Sequence, residues 1–261
     1  MATDARAQFA ADGVVALAGH VDAGTVAAMR AAVWAALAAR GVAEDDPRTW
    51  VAGGALPLVD VAGALRPGPA ASAALWAIGR GPAFATVPGL LQSAVDQVFG
   101  PGVWAPVDDD PGGLVMPNFP AADRWAVPHQ AWHVDEPTAP GQEVGWGLLA
   151  FLLLDEVVAG GGATVMVAGS PRRLGQLADD RAAVITTEVA LAALRDDPAY
   201  AALVGDGAGP PVAGTRGVPR LVELTGAAGD LILMDPRALH CVSANAARRP
   251  RLALRLVCRR A

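Results

Sequence analysis

The chain contains no lysine, because all 20 of its basic residues are arginine. This absence excludes a lysine nucleophile, a Schiff base and the lysine of a phosphate-binding P-loop. Cysteine is scarce as well: Cys241 and Cys258 are too few for a disulfide framework in 261 residues, and they predict buried free thiols. The net charge of −6 argues against a nucleic-acid partner, which would need a basic surface.

The sequence also lacks long apolar segments. The longest run, Val144 to Leu154, is shorter than the roughly 20 residues that a membrane-spanning helix needs, and it predicts a buried strand. The first eight residues, MATDARAQ, carry two charges and no apolar stretch, unlike a secretory signal. We therefore expect no membrane partner and a cytoplasmic location, while the oligomeric state stays open.

The first hundred residues have the apolar spacing of helices. Asp22 is a suitable N-cap, and apolar residues then recur every three or four positions through Leu37 before a glycine ends the helix. Another apolar stripe runs from Pro88 to Phe99, and Val14 to Leu17 has the composition of a short strand. Residues 1–100 are therefore predicted to form a mostly helical amino-terminal layer.

Beyond residue 100 the pattern changes to short extended runs that are separated by turns rich in glycine and proline. Many short strands at this density predict a sandwich or barrel rather than a parallel sheet. The predicted strands are Leu114 to Phe119, Trp146 to Leu154, Thr164 to Val167, Leu221 to Leu224, Leu231 to Met234 and Leu252 to Val257.

An insertion at residues 172–220 interrupts these strands. Thr187 to Leu194 has helical spacing, and Gly205 to Pro219 is a loop rich in glycine and proline. Long loops of this kind commonly act as lids, so we expect this one to lie over the mouth of a pocket. We predict one domain over residues 1–261, with its β core at 101–258.

Only four histidines are present, and two of them predict a metal site. His133 and Asp135 are two residues apart, so on a strand both side chains would project from one face. An imidazole and a carboxylate from one strand, joined by a distant imidazole, form the facial triad of non-haem iron oxygenases. His240 is the candidate third ligand, because it follows a turn, a strand and a bend that begin at Gly229. Taken alone, the His133–Asp135 pair and His240 each also fit ordinary polar residues at a strand end.

Three segments together resemble the phytanoyl-CoA dioxygenase family of Fe(II)/2-oxoglutarate-dependent oxygenases. They are Trp132 to Asp135, Gly161 to Ser170, and Gly229 to Arg251, and the resemblance covers roughly residues 100–258. It implies a mainly β fold with flanking helices around a double-stranded β-helix, which is a jelly-roll or cupin-like core. It also places the first two metal ligands near the end of an early strand and the third on a late strand.

The resemblance further implies a site for the cosubstrate 2-oxoglutarate. Arg251, eleven residues after His240, matches the family arginine that holds the far carboxylate of the cosubstrate. A guanidinium suits this task because its rigid fork donates two parallel hydrogen bonds to a carboxylate. Several other arginines crowd this region, and Arg255 is the nearest rival because it shares a strand face with Arg251.

Three more residues fall where relatives contact the same cosubstrate. They are Gln130, Thr164 and Phe151, and each also fits an ordinary strand residue. Relatives often carry a serine two residues after the distal histidine, but this chain has Val242 there. Ser243 is one residue further on and would face the other side of the strand, so it is a doubtful ligand.

The activity that the resemblance implies is hydroxylation of a C–H bond in a small organic molecule. Fe(II) is the metal, 2-oxoglutarate and O2 are consumed, and succinate and CO2 are released. Desaturation, ring closure and epimerisation use the same kind of site and stay open, and the substrate is not readable. Trp125 and Trp132 are expected in the walls of a partly apolar pocket. Asp135 argues against a halogenase, in which a small residue replaces the carboxylate.

A metal-binding β-barrel without oxygenase activity is the alternative from another functional class. Arg251 discriminates between the two, because a bare metal barrel needs no carboxylate clamp at that position. A zinc pair on a helix is a further reading, since His129 and His133 are four residues apart. Pro128 precedes them and no glutamate lies between them, which disfavours a metalloprotease.

Overall fold

The computed structural model describes residues 2–50, 69–107, 113–120, 125, 132–143, 145–204 and 214–261. In this part of the chain the helices are α1 (Ala2–Asp12), α2 (Ala23–Ala38), α3 (Pro69–Gly79), α4 (Val87–Phe99), α5 (Ser170–Arg181), α6 (Thr187–Asp196) and α7 (Pro198–Val204). Short 3-10 helices occur at Pro47–Thr49 and Pro82–Phe84.

The described strands form two antiparallel sheets. The strands are β1 (Val14–Leu17), β2 (Trp104–Pro106), β3 (Leu114–Asn118), β4 (Gly147–Leu153), β5 (Thr164–Ala168), β6 (Arg220–Glu223), β7 (Leu231–Met234), β8 (His240–Val242) and β9 (Arg251–Arg260). The larger sheet has the order β1-β7-β4-β9-β2, with β3 also paired to β9, and the smaller sheet has the order β6-β5-β8.

Side chains alternate between the two faces of each sheet. On β7 of the larger sheet, Leu231 and Leu233 pack in one cluster with the amino-terminal helices. Ile232 and Met234 pack in another cluster with Met166, which belongs to β5 of the smaller sheet. Alternation with a period of two therefore separates an outer, helix-covered face from an inner face that meets the other sheet.

The smaller sheet has a helical cover of its own. Val165 and Val167 of β5 cluster with Leu174 of α5 and Leu194 of α6, whereas Met166 between them faces the larger sheet. The layers therefore run helices, larger sheet, smaller sheet, helices. Side chains on the inner faces of the two sheets therefore face the space between them.

Several predictions made from the sequence are confirmed. Asp22 caps α2, and its side chain accepts a hydrogen bond from the Thr25 N–H at 2.9 Å. The six predicted strands are present, with bounds that differ by at most three residues. Cys241 and Cys258 are buried free thiols, and burial raises the pKa of each to about 12. As an observation separate from these predictions, no helix in the described ranges is long and apolar enough to cross a membrane.

The helices α5 and α7 and the short strands β2 and β8 have no counterpart among the elements predicted from the sequence. The segment Gly169-Ser170-Pro171 has the composition of a turn, but Pro171 lies in the first turn of α5, where a proline costs no hydrogen bond. The strands β2 and β8 have only three residues each, too few for an alternating pattern to be recognised.

Candidate metal centre

His133 and His240 face each other across a two-residue antiparallel bridge. The N–H of each donates to the carbonyl of the other at 2.9 Å. His240 begins β8 opposite Met166 of β5, so its side chain faces the space between the sheets. The two imidazole centroids lie 4.3 Å apart as a consequence.

Asp135 joins the histidines from a bend that follows His133. Its N–H donates to the Pro236 carbonyl at 2.9 Å, which holds the bend against the segment leading into β8. Its Oδ1 lies 3.5 Å from Nε2 of His133, and its Oδ2 lies 3.8 Å from Nε2 of His240. One ligand atom from each residue lies within 4.8 Å of the other two, so the structure brings the predicted triad together.

The expectation that His133 and Asp135 share a regular strand is wrong in the described residues. His133 makes a single bridge, Asp135 lies in a bend, and the Val134 N–H between them donates to Thr187 Oγ1 at 3.1 Å. The two side chains converge because the backbone is anchored twice, at His240 and at Pro236. These two backbone anchors, rather than strand alternation, therefore bring the two side chains together.

The three side chains fit a divalent metal of the first transition row. Two imidazoles and one carboxylate are a donor set that suits Fe(II). Bonds of about 2.1 Å would separate adjacent ligand atoms by about 3 Å, which is closer than the 3.5 and 3.8 Å between Asp135 and the two imidazoles. The Nδ1 atom of His240 lies 2.8 Å from the Ala238 carbonyl, which directs Nε2 towards the other ligands. Burial lowers the pKa of His240 to about 4, so its imidazole is neutral at physiological pH, as a metal ligand must be.

Arg251 lies at the start of β9 with a buried side chain. Its Nε donates to the Gly162 carbonyl at 3.1 Å, and its Nη1 lies 3.5 Å from the Met116 carbonyl. Burial lowers its pKa to about 10, and no carboxylate of the described residues is paired with it. A buried cation without a counter-charge is unfavourable, so the guanidinium is suited to receive an anion.

Asn118 and Gly162 support this arginine, and neither was predicted from the sequence to be a site residue. The Nδ2 of Asn118 donates to the carbonyls of Gly162 at 2.6 Å and of Ser243 at 3.1 Å. The Gly162 carbonyl therefore accepts from Asn118 and from Arg251. Asn245 completes the cluster, because its Nδ2 donates to the Asn118 carbonyl at 2.8 Å. An asparagine inside a predicted strand is uncommon, and this was the signal available in the sequence.

Thr164 and Phe151 both lie on inner faces, while Gln130 lies outside the described residues. Thr164 is buried two positions from Met166 on β5, on the same side of the strand. Phe151 of β4 lies directly opposite Arg255 of β9.

The Ser243 hydroxyl is bound within the protein. It donates to the Ala163 carbonyl at 2.9 Å. The side chain is buried, so it serves to hold the end of the smaller sheet.

Trp132 does not line the inner space, contrary to expectation. It packs on the outer side of the smaller sheet with Val165 and Leu174, because the neighbouring His133 faces inward. Trp125 donates through Nε1 to Glu223 at 2.9 Å.

Residues 205–213 of the expected lid, Gly205 to Pro219, lie outside the described residues. In the remaining part of this loop the Gly217 N–H donates to Asp12 at 2.7 Å.

Arg255 reaches the triad from the larger sheet. Its Nη1 lies 3.6 Å from Oδ2 of Asp135. Its Nε is buried and has no hydrogen-bond partner among the residues that the structure describes. Arg255, the alternative to Arg251 in the sequence analysis, therefore lies beside Asp135, the candidate carboxylate ligand.

No protein-family model and no curated protein sequence matches the chain. Solved structures do. The non-heme alpha-ketoglutarate-dependent carbocyclase SnoK from nogalamycin biosynthesis is similar with a TM-score of 0.59 and 17% identity, over 99% of this chain and 84% of that chain. HygX from Streptomyces hygroscopicus, with nickel and 2-oxoglutarate bound, has a TM-score of 0.56 and 13% identity, over 99% of this chain and 87% of the HygX chain. EctD from S. alaskensis, with 2-oxoglutarate and 5-hydroxyectoine, has a TM-score of 0.54 and 17% identity, over 99% of this chain and 76% of the EctD chain.

These likenesses bear on the fold. The two antiparallel sheets and the covering helices match the arrangement of these structures over nearly the whole chain. The predicted fold class, a mainly β jelly-roll core with flanking helices, is confirmed. At these identities the chemistry has to be argued from the residues of this chain.

Proposed function

We propose that the chain is an Fe(II)- and 2-oxoglutarate-dependent dioxygenase that hydroxylates a C–H bond of a small organic molecule. The observation that carries the proposal is the convergence of His133, Asp135 and His240, together with the buried Arg251 that has no described counter-ion. A metal-binding barrel without oxygenase activity would account for the triad but not for the arginine.

His133 and His240 would hold the iron through imidazole nitrogens, and Asp135 through a carboxylate oxygen. Three protein ligands on one side leave the remaining positions open to a chelating cosubstrate and to O2. Iron with 2-oxoglutarate supplies, when bound, the oxidation of an unactivated C–H bond by O2, with release of succinate and CO2. The presence of 2-oxoglutarate in the structures of HygX and EctD supports this assignment by analogy.

Arg251 would hold the far carboxylate of 2-oxoglutarate. The Gly162 carbonyl engages its Nε, which fixes the plane of the guanidinium and leaves donors on the terminal nitrogens. Burial excludes competing water, so a charge-assisted pair formed there is stronger than one at the surface. An anion at this position would also supply the counter-charge that the described protein residues do not.

Thr164, Phe151 and Gln130 would complete the cosubstrate pocket. Thr164 lies on the inner face of β5 between Met166, which is level with His240, and the Gly162 carbonyl that holds Arg251. Phe151 lies on the other sheet, and its apolar ring would exclude water from the cosubstrate pocket. The role of Gln130 rests on the family resemblance.

Several broader assignments belong to the same proposal. We assign residues 1–261 to a single oxygenase domain of the phytanoyl-CoA dioxygenase family, located in the cytoplasm. The net charge of −6 supports the absence of a nucleic-acid partner. Hydroxylation is the proposed outcome, and SnoK, a carbocyclase, is a structural neighbour with a different outcome.

The proposal is tested by screening small molecules for succinate release in the presence of Fe(II), 2-oxoglutarate and isotopically labelled O2. A hydroxylase places one labelled oxygen atom in succinate and the other in the product. An Asp135→Ala variant serves as the control for release by unbound iron. Succinate release that is equal in this control, across all molecules tested, would contradict the proposal.

A further inference from the structure

We propose that Arg255 is a second carboxylate-binding residue, placed at the metal centre rather than at the far end of the cosubstrate. The inference rests on the proposed function, because it assigns a ligand to the same site. Arg251 and Arg255 project from one face of β9 and are four residues apart. At about 3.3 Å per residue their Cα atoms are about 13 Å apart, so the two guanidinium groups serve different ligand groups.

The first observation is an unsatisfied donor. The Nε of Arg255 is buried and has no hydrogen-bond partner among the described residues. Buried donors are nearly always paired, and an unpaired one is costly. A group that binds beside Arg255 would satisfy this donor, and the protein holds the donor ready before the ligand arrives.

The second observation is that Asp135 does not satisfy the guanidinium. The distance of 3.6 Å from Nη1 to Oδ2 exceeds the 2.7 to 2.9 Å of a charge-assisted hydrogen bond. Both carboxylate oxygens of Asp135 are also directed towards imidazoles, Oδ1 to His133 and Oδ2 to His240. Arg255 therefore lies beside the triad with its fork available to another anion.

The chemistry of the donor selects a carboxylate. A guanidinium edge offers two parallel N–H groups that match a planar carboxylate, and Phe151 opposite Arg255 provides an apolar surface beside it. Two molecules could supply the carboxylate. One is 2-oxoglutarate, through the carboxylate next to its keto group. The other is the organic substrate, which would then be a carboxylic acid that is oxidised near its acid group.

Carboxylate binding to the Mn(II)-loaded protein, followed by calorimetry, tests the proposal. The variants are Arg255→Gln and Arg255→Lys, and the matched control is Arg259→Gln, an exposed arginine of the same strand. Pyruvate, a 2-oxo acid without a far carboxylate, probes the cosubstrate source. Benzoate, added after 2-oxoglutarate, probes the substrate source. Mn(II) affinity is measured for every variant.

Two outcomes support the proposal. If Arg255 holds the cosubstrate, Arg255→Gln weakens 2-oxoglutarate and pyruvate alike by about tenfold or more, and Arg255→Lys restores part of the affinity. If it holds the substrate, both 2-oxo acids bind normally, and the loss is confined to benzoate. Arg259→Gln binds all three probes as the unmodified protein does.

Other outcomes overturn it. If Arg255→Gln binds all probes normally, or if it loses only Mn(II) affinity, then Arg255 holds no ligand carboxylate and at most supports Asp135. Failure of benzoate to bind the unmodified protein, together with unchanged 2-oxo acid binding in Arg255→Gln, counts against the proposal too. Failure of the unmodified protein to bind Mn(II) or 2-oxoglutarate would instead contradict the proposed function, so the two failures are distinguishable.

Discussion

His133 and His240, which are 107 positions apart in the sequence, are hydrogen-bonded to each other through both of their backbone amides. The spacing of these two candidate metal ligands is therefore fixed by backbone geometry and does not depend on the side chains. It follows that a substitution of either imidazole can remove a ligand and still leave the bridge in place.

The first prediction concerns the metal. His133→Ala should lower the affinity for Fe(II) or Mn(II) by at least a hundredfold and leave the melting temperature of the metal-free protein nearly unchanged, because the side chain is half exposed. Anaerobic calorimetry and thermal unfolding measure the two quantities. His20→Ala, which alters a histidine outside the site, is the control. Equal metal affinity in His133→Ala and His20→Ala would exclude the triad.

The second prediction concerns the cosubstrate. Arg251→Ala should weaken 2-oxoglutarate binding by about two orders of magnitude or more, since a buried ionic hydrogen bond contributes about 1.5 to 3 kcal/mol and a bidentate pair has two. Arg251→Lys should recover only part, because an ammonium cannot reproduce the fork. Arg248→Ala, at an exposed arginine three positions earlier, is the control. Normal binding by folded, metal-loaded Arg251→Ala would show that the strand has been aligned incorrectly.

The third prediction uses two glycines with nearly equal positive φ angles. Gly162 has φ +75° and Gly160 has φ +77°, so alanine at either position costs about 1 to 2 kcal/mol of backbone strain. At Gly162 the new Cβ would also lie 2.3 Å from Nδ2 of Asn118, whereas at Gly160 its nearest contact is Trp125 at 3.8 Å. Gly162→Ala should therefore be the less stable variant in urea unfolding, and it should bind 2-oxoglutarate more weakly. Equal stability and equal affinity of the two variants would rule out a supporting role for Gly162.

The fourth prediction concerns acid stability. Burial alone would raise the pKa of Asp12, but the hydrogen bond from Arg220, the Gly217 N–H and the charges of Arg220 and Arg216 lower it below 3.8 overall. The unfolded chain then binds the proton more readily, so this stabilisation is complete above pH 3.8 and is lost as the pH falls below that value.

Asp12→Asn should accordingly lower the free energy of unfolding at pH 7 by about 2 kcal/mol, because it leaves Arg220 without its buried partner. Its unfolding free energy should also fall less steeply between pH 4 and pH 2, since one titrating group is gone. Asp4→Asn, at a largely exposed aspartate, is the control for a lost carboxylate. A variant with the unmodified stability and acid slope would show that the ion pair contributes nothing.

Much of the fold was predictable because the signals for helices, caps and buried strands lie within short segments of the sequence. The continuous apolar run of β4 and the cap at Asp22 have direct sequence signals, and both elements are found. The bridge between His133 and His240 had no such signal, since single pairings over long separations leave no periodic pattern. The three candidate ligands could be named from the sequence, but the geometry that brings them together could not be predicted from it.

The surroundings of Arg251 were less predictable than its position. The resemblance supplied a spacing from His240, but the support from Asn118 and Gly162 depends on the register of β3 against β9. The approach of Arg255 to Asp135 likewise requires the two sheets to face each other. Such contacts between distant segments are set by tertiary packing and have no short sequence motif.

The central claim is tested most directly by anaerobic titration of the protein, first with Fe(II) and then with 2-oxoglutarate. We expect one Fe(II) per chain, followed by one 2-oxoglutarate that binds much more tightly when the metal is present and gives the charge-transfer absorption of a chelated iron complex. His133→Ala should abolish the absorption. If 2-oxoglutarate does not bind the Fe(II)-loaded protein, or binds equally well without metal, then the site is not that of a 2-oxoglutarate-dependent oxygenase.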